Sequence, residues 1–149
     1  MVDYLVIGAG LSGLACARGL ARSGASVQVL EKSRGVGGRC ATRRLEGQPV
    51  DLGVTFLHGT SRRLIAALET LEASERVEWP RRVVGDGPPC APGALDPDAV
   101  QLALRSGVNA FPKALAQGLD VQREQTAVSI VPASWGWTPS ITKESTPAR

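Results

Sequence analysis

The chain has 149 residues, 43% of them hydrophobic and 21% charged, which sets it among soluble globular chains with room for one domain and a proper core. Its net charge of +3, from 17 basic against 14 acidic residues, is mild, and with only 4% aromatics it offers no basic stripe with stacking platforms, so nucleic acid is not an expected partner. Asp3 stands too early for a signal peptide and no run approaches a membrane span, so no membrane partner is expected and the setting is taken as cytoplasmic and reducing.

In chain order, residues 2–7 are predicted as the first strand. Val2, Leu5, Val6 and Ile7 form a short apolar run that suits a parallel strand buried on both faces. The run enters Gly8-Ala9-Gly10-Leu11-Ser12-Gly13, a G-x-G-x-x-G pattern between a strand and a helix. Gly8 allows the tight turn, Gly10 leaves room for a phosphate at the backbone, and Gly13 lets the helix lie close on the strand. The free N–H groups and positive dipole end of that helix suit a pyrophosphate.

The helix is expected over roughly 12–23, with Leu14, Ala15, Ala17, Leu20 and Ala21 toward the sheet and Arg18 and Arg22 outside. Gly24 is its expected C′ residue. Residues 26–31 form the second strand. Glu31 closes it eighteen residues past Gly13, where an acid meets ribose hydroxyls and repels a 2′-phosphate. These elements make one βαβ unit. The first glycine motif alone does not separate NAD from FAD, since both carry the ADP half.

Of the three cysteines, Cys16, Cys40 and Cys90, none forms a C-x-x-C or zinc spacing, and no metal site is expected. Cys16, within the first helix, is expected as a small buried hydrophobe. A second glycine cluster, Gly37-Gly38 with Arg39 behind it, would serve another close backbone approach to the same ligand, with Arg39 as a cation beside the pyrophosphate. A solvated surface loop is the alternative.

Glu31-Lys32-Ser33-Arg34-Gly35-Val36-Gly37-Gly38-Arg39-Cys40-Ala41-Thr42 resembles the R-x-G-G-R-x-x-[ST] element of FAD-dependent amine oxidases and their relatives. Asp51-Leu52-Gly53-Val54-Thr55-Phe56 is similar to the D-x-G segment that follows there. The likeness is nearest to the renalase-like group of small flavin oxidoreductases. It implies an α/β, Rossmann-like FAD/NAD(P)-binding fold of the glutathione-reductase type, incomplete, with part of a β-rich insertion. It also implies FAD as cofactor, held by Gly8, Ala9, Gly10, Leu11, Ser12, Gly13, Glu31, Lys32, Gly38, Arg39, Thr55, Phe56 and Val128. In the resembled enzymes hydride passes to the flavin from an amine or a dihydropyridine-type reductant. No catalytic residue is nominated, because the cofactor carries that chemistry.

Further along, 60–73 is predicted as an amphipathic helix capped by Thr60 or Ser61 and carrying Leu64, Ile65, Leu68 and Leu71 or Glu72 at helical spacing. His58, the only histidine, is expected in a loop against backbone. Residues 76–84 suggest a strand bent at Pro80, and 85–97 a Pro- and Gly-rich connection. Gly107 to Gly118 resembles the family's return helix, with Pro112 tolerated near its first turn. Asp120–Gln122 and Thr126–Ile130 read as short strands, with Trp135-Gly136-Trp137 as a hairpin partner. In the family a valine of the second strand meets adenine through its backbone, and Val128 matches it. The tail from Thr138 is expected to be disordered.

The domain expectation is therefore 1–75 as the first part of an FAD-binding domain and 76–105 as the start of a substrate-domain excursion or a linker. Residues 106–137 are its return segment and 138–149 a flexible tail. Complete relatives are longer, so three functions are carried. One is a flavin oxidoreductase of the amine-oxidase type, shortened here. Another is a non-catalytic dinucleotide-binding module, acting alone or as a fragment with a partner that supplies the missing half. The last is an NAD-dependent Rossmann dehydrogenase, which would need further βα repeats after Glu31.

Overall fold

A computed structural model describes residues 2–79 and 98–143. The expected connection at 85–97, Cys90, the far half of the strand bent at Pro80 and the end of the tail lie outside the described residues. In chain order the elements are β1 (Tyr4–Ile7), α1 (Leu11–Arg22), β2 (Val27–Glu31), β3 (Thr42–Leu45), β4 (Gln48–Asp51), β5 (Leu57–Gly59) and α2 (Arg62–Glu69). After a 3-10 turn at Ala73–Glu75 come β6 (Arg76–Glu78), β7 (Val100–Leu104), α3 (Ala110–Ala116), β8 (Asp120–Arg123), β9 (Gln125–Ala133) and β10 (Gly136–Lys143).

Two compact units form, one of Met1–Gly38 with Pro112–Arg149 and one of Arg39–Phe111. This division cuts the expected segment 1–75 after Gly38 and the expected return segment 106–137 after Phe111. The first unit holds a three-stranded parallel sheet in the order β1-β2-β8. Tyr4 pairs with Val27 and Ile7 with Leu30, and on the other side of β2 Val29 pairs with Val121 and Glu31 with Arg123. The core lies between this sheet and α1. Ala9, Leu14, Ala17 and Val29 are buried there, and Val6, Val27, Val36, Leu115, Ala116, Leu119 and Val121 pack around them.

Several expectations change at this level. β1 is not buried on both faces: it is an edge strand, and Tyr4 and Ile7 are 49% and 50% exposed. Leu14 and Ala17 face the sheet as expected, but Ala15 and Ala21 are exposed. Alanine gains little from burial, so its place in a helical pattern barely constrains which way it turns. Cys16 is also exposed, not a buried hydrophobe. Gly24 does end α1, with φ 91° and its N–H on the Ala21 carbonyl.

Arg18 does not simply point outward. Its Nη1 donates to the carbonyl oxygens of Ala114, Leu115 and Gln117, at 3.3, 3.1 and 3.2 Å. Ala114 and Leu115 lie in the last turn of α3 and Gln117 just past it, at the helix's negative dipole end, where carbonyls run short of backbone donors; the Ala114 carbonyl also accepts the Gln117 N–H at 3.4 Å. Arg18→Met keeps the apolar stem and removes the donors. It should lower stability by about 1–2 kcal/mol, read as a fall in the denaturation midpoint at unchanged slope.

β9 and β10 form an antiparallel hairpin whose pairing runs from Gly136↔Ala133 to Lys143↔Gln125, with a bulge between Ser140 and Ile141. The Trp135–Trp137 stretch therefore opens a pairing strand as expected, but that strand continues through Lys143. Residues 138–143 are ordered by their hydrogen bonds to β9, so the flexible tail expected from Thr138 does not start there. Val128, Ile130, Trp137 and Ile141 are exposed on this hairpin.

The second unit holds the β3–β4 hairpin and an antiparallel sheet in the order β5-β7-β6. Its buried apolar side chains are Cys40, Leu57, Leu68, Leu104, Val108 and Phe111. α2 is shorter than the expected 60–73, so Leu71 and Glu72 lie past its end. Ser61 occupies the cap position but its side chain makes no capping bond. His58 lies in β5 opposite Gln101, not in a loop, and its ring stands 5.8 Å from that of Phe56.

Candidate dinucleotide site

The turn between β1 and α1 is built by three glycines with three different reasons. Gly8 has φ 95°, a conformation that side chains disfavour, and its N–H donates 2.7 Å to the Leu30 carbonyl. A Cβ on Gly13 would overlap the Gly8 carbonyl oxygen and reach 3.5 Å from Val6, so α1 can lie on β1 only without one. Gly10 is the opposite case. It has ordinary extended angles, φ −73° and ψ 174°, and a Cβ there would meet no atom of the described residues within 4 Å. Among the described residues no packing contact calls for its lack of a side chain, which leaves open space over the first turn of α1.

That first turn is prepared for an anion. α1 runs 12 residues from Gly10 as its cap, with no side-chain cap and no acidic residue in the first turn. The N–H groups at its start have no carbonyl one turn back, and the dipole is positive at that end. The residues present therefore fit the diphosphate of a dinucleotide.

Glu31 is buried at the end of β2, 6% exposed. One carboxylate oxygen accepts the Ala9 N–H at 2.7 Å and the other accepts the Ser33 N–H at 2.8 Å. The acid thus ties the glycine turn to the end of β2. Each oxygen retains a further lone pair for a hydroxyl. No sequence signal marks Ala9 as its partner, because 22 residues separate them.

Gly37 and Gly38 run beside the first turn. The Gly37 N–H donates 2.8 Å to the Ala9 carbonyl, and Gly37 bridges Gly10. Their φ values of 115° and 55° explain the glycines. Besides the close approach to a ligand expected of them, they lay one glycine segment along the other. Lys32 is exposed at the end of β2, and Val128 is 60% exposed in β9.

Arg39, Thr55 and Phe56 belong to the second unit. Arg39 and Thr55 are exposed, and among the described residues the Arg39 guanidinium has no hydrogen-bond partner. The Phe56 ring stacks on Trp79 with centroids 5.0 Å apart. Beside Arg39, burial pushes the Cys40 thiol up, as does the Asp51 charge, with Arg39 opposing, so the thiol stays protonated near neutrality. Asp51 accepts the Thr42 hydroxyl and, at 2.9 Å, the Val108 N–H, while the Thr42 oxygen accepts the Asn109 N–H at 3.0 Å. This network, which joins β3 and β4 to the approach of α3, was missed in the sequence; it spans up to 67 residues.

This strand–glycine turn–helix–strand–acid arrangement defines a Rossmann-like nucleotide-binding fold. Residues 6–71 match the family model of the NAD(P)-binding Rossmann-like domain. The chain is 46% identical over 69 residues to a Mycobacterium tuberculosis protein named as a flavin-containing monoamine oxidase (AofH). That match covers 46% of this chain and 15% of the relative. It is 47% identical over 57 residues to polyamine oxidase 4 of Oryza sativa subsp. japonica, across 38% of this chain and 12% of the relative. Among solved structures, a putrescine oxidase double mutant from a redesign of cofactor binding aligns with a TM-score of 0.71 at 16% identity. That alignment covers 94% of this chain and 54% of the other, a likeness of fold. The chain thus spans only a small part of the length of these relatives. They support the wider resemblance to amine oxidases and lend nothing to the narrower renalase-like one.

Proposed function

We propose that this chain binds FAD and serves a flavin-dependent oxidoreductase of the amine-oxidase type, in a cytoplasmic setting with a small amine as reductant. The observation that carries this is the open space at Gly10 above an uncapped α1, with Glu31 at the adjoining strand end. The flavin-containing name of one similar relative favours FAD over NAD. The first turn of α1 would hold the pyrophosphate, Glu31 the adenosine ribose, and Lys32, Gly38, Arg39, Thr55, Phe56 and Val128 would complete the contacts. FAD bound there would supply the two-electron oxidation of a carbon–nitrogen bond. The chain's own part is to bind and orient the cofactor. No helix among the described residues is long and apolar enough to cross a membrane.

The test is the visible absorption spectrum of the purified chain after FAD is added and the excess removed. A retained, perturbed flavin band is the expected result. A colourless protein, or one in which NAD binds and FAD does not, overturns the reading. Arg39→Ala should weaken FAD binding by about 1.5–3 kcal/mol if the guanidinium makes a charge-assisted contact. An unchanged titration would return Arg39 to solvent.

A further inference from the structure

The Asp51-Leu52-Gly53 segment does more than precede Thr55 and Phe56. The Leu52 N–H donates 2.9 Å to the Ala41 carbonyl, and the Val54 N–H donates 3.0 Å to the Arg39 carbonyl. Gly53 lies between those two donors. Its backbone is outside the left-handed region, so conformation does not call for glycine there. Space does: a Cβ on Gly53 would overlap the Arg39 carbonyl oxygen and approach its carbonyl carbon to 3.3 Å. The obstructed group is backbone, which cannot swing aside as a side-chain tip can. The Thr42–Asp51 hydrogen bond closes the same pair of segments one step along.

From this we infer that Gly53 is a positioning residue for Arg39. It lets the 52–54 segment press against the Arg39 peptide, and this sets the origin of a guanidinium that is otherwise exposed and unpartnered among the described residues. A long side chain recognises phosphate productively only if its backbone is held. The inference rests on the FAD reading above and deepens it: the D-x-G glycine acts on the cofactor through Arg39, not by touching it.

A double-mutant cycle on the full chain tests it, with FAD affinity read by quenching of flavin fluorescence. Gly53→Ala should weaken FAD about fivefold or more, and in an Arg39→Ala background it should change affinity by less than about twofold, since coupled residues do not add. Thr42→Val loosens the same pairing without a new Cβ. It should show a smaller loss that also disappears in Arg39→Ala, and it keeps the test open if Gly53→Ala fails to fold. A lowered unfolding midpoint with unchanged FAD affinity, or losses that add fully to that of Arg39→Ala, would overturn the positioning role while leaving the FAD reading in place. Absence of FAD binding by the unsubstituted chain would overturn both.

Discussion

Gly10→Val should abolish FAD retention and leave the fold standing. The valine side chain would stand where a diphosphate must approach the first turn of α1, and no atom of the described residues lies within 4 Å of its Cβ to be displaced. Loss of two charge-assisted contacts to that diphosphate amounts to about 3–6 kcal/mol, an affinity lower by at least a hundredfold. The angles at Gly10 suit a branched residue, so the stability loss is limited to a poorer helix cap, about 1 kcal/mol. Flavin titration and a denaturation curve on one preparation separate the two quantities. Unchanged FAD affinity in this variant would sink the assignment of the turn as the phosphate site.

Gly13→Ala should do the reverse, although it adds a smaller group three residues away. Its methyl would overlap the Gly8 carbonyl oxygen, a backbone atom fixed by the turn and by the Gly8 N–H bond to Leu30. α1 must then lift from β1, which strains packing around Ala9, Leu14, Ala17 and Val29, all fully buried. Overpacking of this kind costs about 1–3 kcal/mol. The denaturation midpoint should fall clearly, with FAD affinity following only as far as the turn is distorted. A midpoint equal to that of the unsubstituted chain would show that the helix does not bear on Gly8.

The two glycines look alike in sequence and are distinguished by their surroundings. The G-x-G-x-x-G spacing already assigned one to the ligand and one to packing, because that motif is short and its parts are covalently near. The same locality made β1, α1, β2 and the closing Glu31 legible to within a residue or two. It also made Gly24 legible as the helix end, since a left-handed C′ residue is a local requirement. Where the chain must find distant partners, the pattern was silent. Arg18 was placed in solvent because its helix face is polar, yet it is tied to carbonyls 96–99 residues on. The tail from Thr138 was expected loose for want of an apolar run, yet it pairs along β9 through Lys143, because backbone hydrogen bonds do not depend on side-chain character.

By itself, then, the amino-acid sequence determined a βαβ unit with a glycine at position 10 in the turn and an acid at the end of its second strand. Those features depend on steric rules and spacings within some thirty residues. Only the tertiary structure decided that β1 is an edge strand, that Glu31 grips the Ala9 amide, and that Gly53 is required by the Arg39 carbonyl. Each of these is a meeting of groups distant in sequence. Hydrophobic period and residue type state what a group can do, while the packed chain alone states which partner stands within reach.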